Sequence, residues 1–283
     1  MERMTWEDSV AWLRQQPDQA GLVRACYYDD PLLDAARRFY RSEEWQAARA
    51  FLPKPAERAL DLGAGRGISS YALAEDGWQV TAVEPDPGVL VGAGAIRQLA
   101  RQAGLSIAVL RNLGESLSLM AGSFDLVYGR EVLHHAADLD RLCQEAQRVL
   151  KPGGFLIMTR ETVISKAQDL PIFLDRHPLQ RFFGGENAFL LESYTSAIAA
   201  SGLRMVRVLG PFDSLINFYP FDGDLPGLSS SQRETLRLRR RIVRSLVGVR
   251  AAVAHALPAG ISIRVFPALD APGRLFSFIA VKP

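Results

Sequence analysis

Ala59-Leu-Asp-Leu-Gly-Ala-Gly-Arg-Gly-Ile68, followed by a second apolar run, Val80-Thr-Ala-Val-Glu84, constrains this chain more than any other segment. A short apolar run broken by glycines and followed by Ile68-Ser-Ser-Tyr-Ala-Leu-Ala74 at helical spacing predicts strand, glycine turn, helix and second strand, the start of a βαβ nucleotide-binding unit. The glycines let a ligand approach backbone, and the terminal carboxylate of Glu84 can accept two ribose hydroxyls.

Glycine spacing separates the candidate ligands. A dinucleotide site uses G-x-G-x-x-G, its third glycine allowing close helix packing. Here Gly63, Gly65 and Gly67 give G-x-G-x-G, and Ile68 occupies the dehydrogenase position. With Asp61 two residues ahead, the string resembles motif I of the class I S-adenosylmethionine (SAM) methyltransferases. Ser123-Phe-Asp-Leu-Val127, Val132-Leu-His-His135 and Arg148-Val-Leu-Lys-Pro-Gly-Gly-Phe155 resemble later motifs of its small-molecule branch, so the similarity runs from about residue 57 to 160. It implies a Rossmann-like, seven-stranded α/β sheet and SAM as cofactor, with S-adenosylhomocysteine as product. It also implies cofactor contacts from Asp61, Gly63, Ala64, Gly65, Gly67, Glu84, Pro85 and Arg130.

One stretch departs from that pattern. Where relatives carry an acid or asparagine near the adenine and then an acid-x-leucine-proline string, this chain reads Arg111-Asn-Leu-Gly-Glu-Ser-Leu-Ser-Leu119. The resemblance places Leu113, Gly114 and Glu115 beside the adenine, largely through backbone; the alternative for Glu115 is a solvated loop acid.

Strands and helices alternate as a parallel sheet requires. Asp86-Pro87 reads as N-cap and first residue of a helix reaching about Ala103, Leu105 to Leu110 as the third strand, and Phe124 to Tyr128 as the fourth. Leu139, Leu142, Cys143, Ala146, Val149 and Leu150 recur at helical spacing before Lys151-Pro-Gly-Gly154 and a fifth strand, Phe155 to Thr159. Leu203 to Leu209 and Leu275 to Val281 fit two antiparallel edge strands.

The expected organisation is a helical cap over residues 1–55 and a SAM-binding core over 56–210. A lid insertion falls at 162–190, an insertion carrying a basic helix at 211–274, and the final edge strand at 275–283. Asp30-Pro31 reads as the start of a helix through Phe39, Tyr40 and Trp45. Tyr27 and Tyr28 either close the pocket or serve as core. The 162–190 stretch is too aromatic for disorder. Gln232 to Arg250 holds seven arginines against Glu234; it reads as a solvated surface helix or, alternatively, as a phosphate or RNA contact.

A net charge of +2 is too small to imply nucleic-acid or membrane binding from overall charge alone. Two cysteines, Cys26 and Cys143, suit a reducing compartment, and the chain starts without a signal peptide or a bilayer-length apolar run, so a cytoplasmic location is expected. Oligomeric state is not legible.

Methyl transfer needs an acceptor aligned with the methyl and, for a hydroxyl, removal of a proton. Gly129-Arg-Glu-Val-Leu-His-His135 should face the methyl, because ligands bind beyond the carboxyl ends of parallel strands. His134 or His135 is then the candidate catalytic base, or the pair shapes the loop. Four histidines with no cysteine nearby predict no metal site. The Asn/Asp-Pro-Pro-aromatic and Pro-Cys signatures of amino-group and pyrimidine-C5 methylation are absent. Small-molecule O-methylation is the first reading, with N- or C-methylation open. A non-catalytic SAM-binding or regulatory protein and an RNA- or nucleotide-directed methyltransferase using 232–250 are alternatives, and an NAD oxidoreductase, disfavoured by Ile68, comes last.

Overall fold

The computed structural model describes residues 4–53, 57–177, 179–211, 213–217, 234, 241 and 273–283. Except for Glu234 and Arg241, the basic segment 232–250 lies outside them.

The central sheet begins with β1 (Arg58–Leu62), β2 (Gln79–Val83), β3 (Ile107–Leu110), β4 (Phe124–Arg130) and β5 (Leu150–Ile164). It ends with the short β6 (Phe189–Leu190) and the pair β7 (Arg204–Leu209) and β8 (Arg274–Val281). Its order is β3-β2-β1-β4-β5-β8-β7, with β6 pairing β5 off that path. The first five strands run parallel, whereas β8 is antiparallel to both β5 and β7. This is the α/β sheet anticipated, enlarged by the two-residue β6. Four consecutive buried residues in β1 and in β2 reflect helices on both faces, which is why these strands read as unbroken apolar runs.

One face carries α7 (Leu139–Val149) and α10 (Leu191–Ala200), whose Leu142, Ala146, Tyr194 and Ile198 pack with Leu60, Val127 and Phe278. The other carries α5 (Ile68–Glu75) and α6 (Ala93–Ala103), covered by α3 (Leu32–Tyr40) and α4 (Glu43–Arg49). Phe39 and Trp45 are fully buried there with ring centroids 5.5 Å apart; each side chain of this size contributes about 1.5–3 kcal/mol by leaving water.

Several boundaries differ from expectation. The helix after β2 begins at Ala93, because the Asp86 carboxylate accepts the Gly88 N–H at 2.6 Å and holds 86–88 as a turn. Asp30 likewise caps no helix: Pro31 takes the N-cap position of α3, and the Asp30 carboxylate pairs with Arg14 and Arg66. The segment expected to run helical through Trp45 breaks at Arg41-Ser42, where Ser42 Oγ caps α4 by accepting the Trp45 N–H at 3.1 Å. β5 continues past Thr159 through Arg160, which adopts φ +61° at a register shift against β8.

Candidate active site

A cavity of about 980 Å³ opens beyond the carboxyl ends of the parallel strands, where bound ligands sit in folds of this kind. Its lining includes Gly63, Ala64, Gly65, Glu84, Pro85, Asn112, Leu113, Gly114 and Glu115 toward one end. Tyr27, Tyr28, Arg130, Glu131, His134, His135, His177 and Glu186 also face it. The structure therefore brings together most of the residues singled out in the sequence.

The glycine turn follows from local sterics. Gly63, Gly65 and Gly67 take φ of +62°, +54° and +83°, a region costly for other residues. A Cβ on Gly63 would meet Val132 at 2.7 Å, and one on Gly67 would meet Ile96 at 3.1 Å. At Gly65 nothing lies within 4 Å, so that backbone stands open to a ligand. The Gly65 N–H donates to Glu84 at 2.8 Å, and the Asp86 N–H donates to the same carboxylate at 3.0 Å. Burial raises the Glu84 pKa to about 7 against these bonds.

Asp61 and Gly67 are not among the lining residues. The Asp61 carboxylate accepts the Ser70 hydroxyl at 2.5 Å and so ties β1 to α5; burial, opposed by that bond, raises its pKa to about 7. Glu115 is more than a solvated acid, since its carboxylate accepts the Ala137 N–H at 3.0 Å and steadies the loop after the histidines.

Arg130 is held as one member of a charge network. Its guanidinium donates to Glu44 of α4 at 2.7 Å and lies 3.1 Å from Glu131, which also accepts from Arg160 at 2.8 Å. Burial disfavours a charged Glu131, but Arg130 and Arg160 outweigh it and hold its pKa down at about 2.

The two candidate histidines occupy different environments. His134 is buried, with Nδ1 2.8 Å from Glu161, whose carboxylate also accepts the Val132 and His134 N–H groups at 3.0 and 3.1 Å. Burial opposes its positive charge, yet the bond to Glu161 raises its pKa above the ordinary imidazole value. His135 is more accessible; its Nδ1 lies 3.2 Å from the Gly185 carbonyl, and enclosure together with His134 lowers its pKa. A neutral His135 donating at Nδ1 leaves a lone pair on Nε2.

Glu44, Arg160, Glu161 and Glu186 were not singled out in the sequence as parts of this site, and His177 was expected only as a residue of the 162–190 insertion. No local spacing links them to the glycine turn; β5's continuation beyond the Arg160 bulge brings Glu161 under the histidines. Two short helices, α8 (Asp169–Arg176) and α9 (Gln180–Phe183), bring Phe173 and Phe183 of the 162–190 segment to the cavity.

A family model described as a methyltransferase domain matches residues 60–158. The ubiquinone biosynthesis O-methyltransferase of Methylocella silvestris is 35% identical over 136 residues, covering 47% of this chain and 50% of that protein. Its namesake from Agrobacterium fabrum is 27% identical over 172 residues, covering 59% and 68%. The chain thus spans about half to two thirds of the length of these curated relatives. Geranyl diphosphate C-methyltransferase from Streptomyces coelicolor A3(2) shares the fold at TM-score 0.59 and 14% identity, covering 90% of this chain and 85% of that one. The cyclase SpnF does so at TM-score 0.57 and 22% identity, covering 88% and 82%. Residues 60–158 thus resemble a methyltransferase domain, and the fold is one shared with solved methyltransferase structures.

Proposed function

We propose that the protein methylates a hydroxyl oxygen of a small-molecule acceptor by in-line transfer from SAM. One juxtaposition carries this reading: an open glycine turn and the Glu84 carboxylate share one cavity with an imidazole-lined region. Two O-methyltransferase relatives support the choice of oxygen.

The residues present fit the cofactor. The open side of Gly65 admits close backbone approach, Glu84 can accept ribose hydroxyls, and Leu113 with Gly114 offers a surface beside the base. SAM supplies a methyl group on a sulfonium, so little covalent work falls to the protein. Positioning then dominates: the walls hold the acceptor oxygen near the methyl and exclude water, while the acceptor proton leaves toward His135 and Glu186. His134 is the poorer base, because its Nδ1 side is committed to Glu161 and its charged form is already favoured.

Mass spectrometry of reactions containing SAM and a panel of small phenols, alcohols and amines tests the proposal. The expected result is an acceptor heavier by one methylene together with S-adenosylhomocysteine, the methyl resting on oxygen. Methylation of amines or carbon alone would overturn the oxygen assignment. Tight SAM binding with no product would favour a non-catalytic SAM-binding protein.

A further inference from the structure

The four histidines of the chain are scattered at positions 134, 135, 177 and 255, but the fold draws three of them to one wall of the cavity with Glu186. His134, His135 and Glu186 each offer a ligand atom, all lying within 4.8 Å of one another. His177 adds a third imidazole, its Nε2 3.6 Å from the Glu186 carboxylate. Its Nδ1 is buried without a hydrogen-bond partner, in a structure where buried polar atoms are ordinarily satisfied.

The surroundings of the first two rings match those of metal ligands. A ligating imidazole ordinarily donates its second nitrogen to a carboxylate or backbone carbonyl, which fixes the tautomer and strengthens the free nitrogen as a donor. His134 has Glu161 at Nδ1, and His135 has the Gly185 carbonyl. Both arrangements leave Nε2 available, with the two ring centroids 4.2 Å apart. A tetrahedral centre with bonds of about 2.0–2.1 Å needs ligand atoms ~3.4 Å apart, so modest side-chain rotation closes the cluster. Imidazole with one carboxylate suits zinc, cobalt or iron(II) better than magnesium or calcium, which take all-oxygen sets.

We infer that His134, His135 and Glu186, with His177 adjacent, form a binding site for one divalent transition-metal ion in the cavity wall. On the proposed methyl-transfer reading, an ion held there would replace His135 and Glu186 as the group that activates the acceptor: an open coordination position would take the hydroxyl and favour its ionised form, the proton passing to the adjacent His177. The metal site itself does not depend on that reading, so metal affinity is measured without SAM or acceptor.

Protein stripped with a chelator and dialysed is titrated with Co(II), followed by visible absorption and calorimetry. The expected result is one saturable Co(II) per chain, with d–d bands of a nitrogen/oxygen site that Zn(II) abolishes. His135→Ala and Glu186→Gln should each weaken binding at least tenfold, while Glu192→Gln, at an exposed position of α10, leaves it unchanged. Glu186→Gln keeps the side-chain shape, and S-adenosylhomocysteine binding by each variant reports an intact fold. No saturable Co(II) binding, or binding indifferent to both substitutions in folded protein, would overturn the site.

Discussion

Between the carboxyl end of β2 and the glycine turn, Glu84 accepts two backbone N–H bonds while burial raises its pKa to about 7. A ribose diol donates to the ionised form, so ligand binding should draw off a proton wherever Glu84 is protonated. Calorimetric affinity for S-adenosylhomocysteine is therefore expected to rise with pH, approaching about tenfold per unit below pH 7 and levelling above it. Glu84→Gln should weaken binding, since hydrogen bonds to a charged group contribute about 1.5–3 kcal/mol each, and should flatten the pH dependence. A pH-sensitive variant of undiminished affinity would remove Glu84 from the cofactor site. Stability of the ligand-free protein moves the opposite way. An acid whose folded pKa is raised binds protons preferentially in the native state, so its contribution is full below the ordinary carboxylate range and is lost as pH rises through about 7. Ligand-free Glu84→Gln should accordingly lose less stability than the parent between pH 5 and 8 in urea titrations.

Elements that cover the cavity are stitched to one another more than to the sheet. In α1 (Trp6–Arg14), which α2 (Ala20–Ala25) follows in the chain, Trp6 lies 5.2 Å from Phe183 and Trp12 lies 4.4 Å from Phe182, measured between ring centroids. The Met4 N–H reaches the Phe182 carbonyl at 3.1 Å, and Val10 and Leu13 share a buried cluster with Leu179. Such a unit is expected to open and close together, drawn from the less stable part of the molecule. Hydrogen exchange over 6–14 and 169–183 should slow in parallel when S-adenosylhomocysteine and acceptor bind, and Trp12→Ala should speed exchange in 180–183 as well as in its own helix. Independent responses of the two segments would show separate covers. Arg66 ties this cap to the glycine turn, donating to the Tyr27 and Asp29 carbonyls at 2.8 and 3.0 Å.

Across the whole molecule, the Glu44, Arg130, Glu131 and Arg160 network joins the N-terminal helices to the ends of β4 and the β5 bulge. Glu44 and Arg130 are 7% and 9% exposed, so removing one partner leaves a buried charge uncompensated. Glu44→Ala should lower unfolding free energy by about 3–5 kcal/mol, read as a lower urea midpoint with unchanged slope. A midpoint within error of the parent would mean that water or another acid replaces Glu44.

What the amino-acid sequence determined by itself was whatever depends on neighbours along the chain. Alternating apolar runs and helical spacings specify the parallel sheet; the three glycines specify a turn that only they can adopt without strain; and Glu84 follows from the end of a strand. Start signals at Asp30 and Asp86 misled, because a carboxylate that caps a helix in one setting accepts from a nearby N–H or pairs with arginine in another. Tertiary structure alone decided the chemistry of the imidazole wall. Glu161 reaches His134 across 27 residues, and Gly185 reaches His135 across 50, through a strand bulge and a folded 169–190 segment that no periodicity encodes. These meetings depend on packing between distant elements, whose geometry arises only when the sheet and its covers close over the same space.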